Sequence, residues 1–254
     1  MEKGITIIGS GKVATQIALQ LVKSGHSIDG VWGRTKANAI TLSNIIHTKQ
    51  LQTLSEISSN SLALVCVADE AIKEVLKDIP LSVRVAYTSG SIAINDLPKR
   101  PSLGVFYPLQ TFSPGKQVDI SIVPFLIEAN TEAFTMELKA LASTVSNRVI
   151  LADSQDRYNT HIAAVMVNNF TNFLYHLAKK HLHKHQLDFD ILKPLIAETV
   201  NKLETLSPIE AQTGPAARGD QEVINKHISS LEDPEVKILY RLFSELISKE
   251  INKK

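Results

Sequence analysis

The chain has 254 residues, a formal net charge of +1 and one cysteine. That length holds one large domain or two smaller ones with a real core, and the balanced charge argues against a polyanionic partner such as nucleic acid. Cys66 has no internal disulfide partner, no apolar stretch approaches the length of a membrane span, and a strand pattern begins almost at residue 1 with no targeting segment ahead of it, so a soluble cytoplasmic protein is expected.

The opening apolar run, Gly4–Ile8, ends in Gly9-Ser10-Gly11-Lys12-Val13-Ala14, and a helix-forming stretch over 15–22 comes at once. A strand, a tight turn and a helix in that order are what a dinucleotide pyrophosphate needs, because the free N–H groups of the helix then point at the phosphates. Gly9 makes the turn, Gly11 admits the phosphates to the backbone, and Ala14 lets helix and strand pack closely. Ser10, Lys12 and Val13 complete the cofactor-binding set on this turn. An ordinary strand-to-helix turn without a ligand is the alternative.

Ile28–Trp32 reads as the second strand. An NAD site usually places Asp or Glu at its end for the ribose hydroxyls, and this chain has Gly33-Arg34-Thr35. A guanidinium and a hydroxyl there suit a 2′-phosphate, so Arg34 and Thr35 point to NADP rather than NAD. A solvated loop cation is the alternative reading of Arg34.

Leu62–Val67 is a short continuous apolar run, as expected of a buried parallel strand, and Cys66 inside it is expected to be an inert thiol. Asp69 reads as the N-cap of a helix over Glu70–Lys77. Arg84–Tyr87 is a strand ending at Thr88-Ser89-Gly90-Ser91. Val67, Ala68, Ser89 and Gly90 are thereby expected near the nicotinamide ribose, though a tight turn explains Ser89-Gly90 equally well. Leu103–Phe106 is a further strand and runs into Tyr107-Pro108-Leu109-Gln110-Thr111-Phe112, where Gln110 offers donors and an acceptor. A strand over Ile122–Glu128, a helix over Thr131–Val145 and a strand over Val149–Leu151 close this half. The alternation predicts a parallel sheet covered on both faces.

No strand pattern is present after Asp153. The expected division is a dinucleotide-binding domain over 1–152 and a helical domain over 153–254. A helical period runs over Ser154–His185, with His161, Val165, Asn168 and Asn172 on one face. His161 could protonate an oxygen or nitrogen as hydride arrives, or be a satisfied structural histidine. His176, His181, His183 and His185 lie among lysines at the helix end and read as a solvated face rather than a metal site. A helix over Asp190–Leu206 precedes a loop, Ser207–Asp220, in which Arg218 could clamp a substrate carboxylate and Asp220 caps the next helix. Helices over Glu222–Ser230 and Glu235–Ile251 end the chain.

Four motifs taken in order resemble one family: Tyr107-Pro108-Leu109-Gln110-Thr111-Phe112; Val167-Asn168-Asn169-Phe170 with Asn172; Pro194-Leu195-Ile196-Ala197-Glu198-Thr199; and Thr213-Gly214-Pro215-Ala216 with Arg218-Gly219-Asp220. The resemblance is to bacterial Rossmann-like proteins with a helical DUF2520 domain, assigned as NADP-dependent oxidoreductases. It covers nearly the whole chain. More distantly the layout is similar to ketopantoate reductase, pyrroline-5-carboxylate reductase and the β-hydroxyacid dehydrogenases. These families imply a Rossmann domain, a helical dimerisation domain and an active site in the cleft between them. The β-hydroxyacid dehydrogenases carry a Lys on the interdomain helix four residues before an Asn. Counting back from Asn168 or Asn169 gives Ala164 or Val165, so that Lys is absent and its mechanism does not carry over.

The combined expectation is an α/β chain, a Rossmann parallel-sheet domain followed by an all-α domain entered by a long helix. It would transfer hydride between NADPH and a small C=O or C=N substrate in the interdomain cleft, with His161, Asn168 and Arg218 facing substrate, and form a homodimer through its helical half. The rival is a non-catalytic NADP(H) sensor or scaffold whose helical half binds a protein partner.

Overall fold

The computed structural model describes residues 4–113 and 115–253. Two compact units divide between Asn169 and Phe170.

The first unit is built on a seven-stranded sheet of order β2-β1-β3-β4-β5-β6-β7. Its strands are β1 (Ile5–Ile8), β2 (Ile28–Trp32), β3 (Leu62–Val65), β4 (Arg84–Tyr87), β5 (Leu103–Pro108), β6 (Phe125–Ala129) and β7 (Val149–Leu151). Every residue of β1 and β3 is buried, as a strand covered on both faces requires. Helix α1 (Lys12–Lys23) buries Ala14, Ile17, Ala18 and Leu21, a single stripe at offsets of three and four. Helices α2 (Lys36–Ile45), α3 (Asp69–Asp78) and α4 (Glu132–Val145) connect β2 to β3, β3 to β4 and β6 to β7. The four strand pairs among β1–β5 are all parallel, and β1 lies between the edge strand β2 and β3. The order reverses at β1, and in such sheets ligands lie beyond the strands' carboxyl ends at that point.

The sheet is not parallel throughout. β5 and β6 pair antiparallel, with Gly104 opposite Ala129 and Pro108 opposite Phe125. The chain reverses across the segment between them, whose described residues hold a 3₁₀ turn at Ile120–Ile122 and no α-helix to serve as a crossover. α4 provides one between β6 and β7, and that pair is parallel.

Helix α5 (Ser154–Ala164) belongs to the first unit, whereas the sequence pattern places the boundary at 152–153. The reason is polar: Ser154 and Arg157 on α5 both bond Glu128 on β6. The helical period expected over 154–185 is present but interrupted, because Val165–Phe170 is a π-helical turn between α5 and α6 (Thr171–Lys184).

The second unit is all helical. Besides α6 it holds α7 (Lys193–Asn201), the four-residue α8 (Pro215–Arg218), α9 (Gln221–Ser230) and α10 (Pro234–Ile251). The helix expected over 190–206 is α7 flanked by 3₁₀ turns at Phe189–Leu192 and Lys202–Glu204, since Pro194 suits only the first turn of an α-helix. Asp220 caps α9 as expected, accepting from the Val223 N–H at 3.2 Å. Among the described residues no helix is long and apolar enough to cross a membrane.

Candidate functional site

The turn after β1 is tied on both sides. The Gly9 N–H donates to the Trp32 carbonyl at 2.7 Å, and the Cys66 N–H donates to the Ile8 carbonyl at 2.7 Å. Gly9 has φ +120°, and a Cβ there would stand 2.3 Å from the Cys66 carbonyl oxygen, so only glycine fits. Gly11 is different. Its backbone is ordinary, and a Cβ would meet nothing within 4 Å. The fold itself does not demand glycine at 11; an open cradle over the first turn of α1 is what its missing side chain provides. That turn has no side-chain cap and no acidic residue, which leaves its leading N–H groups free for an anion.

The turn after β2 packs against the first. A Cβ on Gly33 would come 2.9 Å from the Ser10 Oγ and 3.3 Å from the Ala39 Cβ. Arg34 and Thr35 come next, both exposed; Thr35 is the N-cap of α2 without a side-chain cap bond, and the first turn of α2 is free of acidic residues. Lys36, also exposed, adds a cation that the strand-end pattern alone does not single out. The residues around the Gly9 and Gly33 turns thus fit a phosphorylated dinucleotide: glycine where backbone must approach, helix N–H groups without acid, and an arginine at the end of β2.

After β3, Val67 is half-buried and Ala68 is exposed. The expectation for Asp69 is corrected. Ala68, not Asp69, is the N-cap of α3, and no side chain caps it. The Asp69 carboxylate instead accepts the Ser91 hydroxyl. Ser89 is buried, and its Oγ accepts from the N–H groups of Ser91 and Ile92, each at 3.1 Å, so the turn itself uses this side chain. Cys66 is buried and free, and burial pushes its thiol up to about 12, which makes it inert as expected.

Gly90 supplies the link to the pocket. A Cβ there would lie 2.8 Å from the His161 Nδ1, 2.8 Å from the Tyr107 Cζ and 2.9 Å from the Tyr107 Oη. Those two side chains share a hydrogen bond of 3.1 Å. Burial raises the Tyr107 phenol above its ordinary value, the Asp69 charge adds to the rise, and Arg157 opposes it. The phenol is therefore protonated at neutral pH. The pairing is visible only in the fold: Tyr107 and His161 each stand out in the sequence, but nothing local joins positions so far apart.

An open pocket in this unit is lined by Lys12 and Val13 of α1, by Tyr107 of β5, by Gln110 and Phe112 beyond it, and by His161, Ala164, Val165, Asn168 and Asn169. It therefore joins the cradle of α1 to the Tyr107–His161 pair. The π turn changes which amides take part. An i→i+5 turn shifts the helical phase, so Asn168 and Asn169 both reach the pocket, and Asn168 donates to the Asn169 amide oxygen at 3.3 Å. Arg218 belongs to the second unit, exposed at the end of α8 between Gly214 (φ +107°) and Gly219 (φ +72°).

Residues 4–89 match the family model described as NADP oxidoreductase coenzyme F420-dependent, and residues 123–247 match the domain of unknown function DUF2520. A Bacteroides fragilis protein designated an NADP oxidoreductase is 39% identical, with a TM-score of 0.89 over 98% of this chain and 98% of its own. Reductive aminase from Aspergillus terreus, in complex with NADPH and ethyl levulinate, gives a TM-score of 0.64 at 17% identity, covering 99% of this chain and 88% of its own. The 1-pyrroline-5-carboxylate reductase of Streptococcus pyogenes gives 0.63 at 15% identity, covering 98% of this chain and 95% of its own. At those identities the last two share the fold alone. No curated protein matches the sequence.

Proposed function

The chain belongs to the family that joins an NADP oxidoreductase domain to a DUF2520 domain, and from that membership we propose an NADP(H)-dependent oxidoreductase acting on a small C=O or C=N compound. One observation carries the reading: a single pocket runs from the uncapped first turn of α1 to the Tyr107–His161 pair. The backbone from Gly9 to Val13 would hold the pyrophosphate, Arg34 and Thr35 the 2′-phosphate, and Val67, Ala68, Ser89 and Gly90 would border the nicotinamide ribose. When bound, NADPH supplies the hydride.

This chain's residues supply the proton and the grip. With the Tyr107 hydroxyl donating to Nδ1, His161 presents an Nε2–H to the pocket; as that proton passes to the reacting oxygen or nitrogen, Nδ1 takes the Tyr107 proton and solvent restores the phenol. Asn168 and Asn169 offer amides to the reacting oxygen or nitrogen. Arg218 is assigned to a substrate carboxylate on the strength of its exposed guanidinium between two glycines of positive φ. The proposal includes a homodimer through the helical half, supported by the large apolar side chains exposed there, among them Phe173 of α6, Leu195 and Val200 of α7, and Ile238 and Leu242 of α10.

One observation favours the rival reading of a non-catalytic sensor: Ala164 and Val165 stand where β-hydroxyacid dehydrogenases carry a Lys. Titration with NADPH and NADH, monitored by calorimetry, tests the cofactor. NADPH binding with a clear preference over NADH supports the proposal, and binding of neither overturns it. His161→Ala then separates the two readings, since an enzyme loses turnover while keeping NADPH affinity and a sensor loses nothing.

A further inference from the structure

Arg157 is 1% exposed, and a charge so deeply buried persists only where it is paired. Its guanidinium forms an ion pair with Glu128 of β6 and also donates to the Ile92 carbonyl. Ile92 lies two residues past Gly90, in the turn that backs Tyr107 and His161. Its carbonyl accepts the Tyr87 hydroxyl as well, at 2.9 Å. Ser154 reinforces the knot: its hydroxyl donates to Glu128 at 2.8 Å, and its Oγ accepts the Ile94 N–H at 3.3 Å. One guanidinium thus ties together α5, β6 and the turn after β4.

Arg157 and His161 are four residues apart on α5, one turn on the same face. The knot therefore sets both partners of the contact at Gly90, the turn that carries Gly90 and the helix that carries His161. Packed apolar side chains of like volume would hold α5 to the sheet about as well as a buried ion pair does. What they would lack is direction, since a planar fork fixes the helix in rotation and in translation.

Resting on the reading of His161 as the pocket's proton donor, we propose that Arg157, through Glu128 and the Ile92 carbonyl, is the positioning residue that aligns His161 with Tyr107. Its role is to keep the imidazole in the tautomer with Nδ1 accepting from Tyr107 and Nε2–H free for substrate.

The test is ¹⁵N NMR of the histidine side chains in the full-length protein without nucleotide, with His161→Ala identifying the signals of interest. In wild type, His161 shows one Nε2–H tautomer. In Arg157→Lys, which keeps the charge but loses the fork, its two nitrogen signals move towards each other as tautomers mix, while the Trp32 indole signal stays in place and reports the fold. Glu128→Gln keeps an acceptor for Arg157 and Ser154 and gives the same shift in smaller measure; it carries the test should Arg157→Lys not fold. Turnover with NADPH falls by up to about 100-fold in Arg157→Lys with little change in nucleotide affinity, as expected when a reacting group is displaced by an ångström. An unchanged His161 tautomer in the folded variants overturns the proposal. Failure of wild type to bind NADPH would instead overturn the oxidoreductase reading, and the tautomer result would stand apart from it.

Discussion

The Tyr107 hydroxyl stands 3.1 Å from Nδ1 of His161, a residue 54 positions further along the chain. The Gly90 Cα lies behind both, and nothing larger than its hydrogen fits there. A strand end, a turn and a helix therefore meet at one hydrogen bond, and the chemistry proposed for the pocket depends on that bond.

Gly90→Ala forces Tyr107 and His161 apart, because its Cβ would lie 2.8 Å from His161 Nδ1. His161→Ala removes the donor outright. Each is expected to lower kcat by roughly 100- to 10,000-fold, the usual worth of a positioned general acid. Tyr107→Phe is expected to fall between wild type and His161→Ala. Steady-state kinetics with NADPH checks all three, paired for His161→Ala and Tyr107→Phe with calorimetric Kd values that stay at the wild-type level.

Gly9→Ala and Gly11→Ala separate fold from ligand. At Gly9 the positive φ and the contact with the Cys66 carbonyl make the substitution destabilising by about 1–3 kcal/mol or more. At Gly11 the added methyl meets open space, so urea unfolding should match wild type within about 0.5 kcal/mol. NADPH binding should nonetheless be lost in Gly11→Ala, since the methyl fills the cradle. Retained binding in that variant would remove the pyrophosphate from this turn.

Arg34→Ala tests the 2′-phosphate. A hydrogen bond to a charged group is worth about 1.5–3 kcal/mol, which corresponds to a loss of roughly 10- to 150-fold in NADPH affinity. NADH, lacking the phosphate, should bind the variant as it binds wild type. Equal losses for both nucleotides would mean that Arg34 meets some other part of the ligand.

Alkaline pH should destabilise the fold. Burial raises Cys66 from 9.0 to about 12, and raises Tyr107 and Tyr87 above 10.0. Above those ordinary values the unfolded chain sheds protons that the folded chain retains, so stability is whole below about pH 9 and falls as pH rises through the shifted values. Each group contributes a slope of at most about 1.4 kcal/mol per pH unit. Urea midpoints measured from pH 8 upward should decline from about pH 9, and Cys66→Val should flatten the first part of that decline.

Much of the N-terminal half is legible in the sequence. Short, predominantly apolar runs locate β1 to β4, because strands covered on both faces bury most of their residues. The glycines at 9 and 11 and the arginine at 34 stand out because backbone approach and bidentate charge admit few other residues. The antiparallel pairing of β5 and β6 is not legible from pattern, since an apolar run carries no sign of its direction. Asp69 looks like a cap because the cap position is local, whereas the Ser91 hydroxyl that takes its carboxylate arrives from another strand's turn.

Local spacing thus accounts for the elements, the dinucleotide turn and the candidate polar face of the long helix, all of which depend on neighbours within a few residues. The Tyr107–His161 bond, the Arg157–Glu128 pair beneath it and the π turn that brings both Asn168 and Asn169 to the pocket come from folding alone. Each of the two pairs joins side chains distant in sequence, and the π turn departs from the 3.6-residue period on which a helical face is read. No rule of local propensity encodes such contacts; they exist because the sheet order brings Tyr107 of β5, Glu128 of β6 and the turn after β4 to the same face of α5.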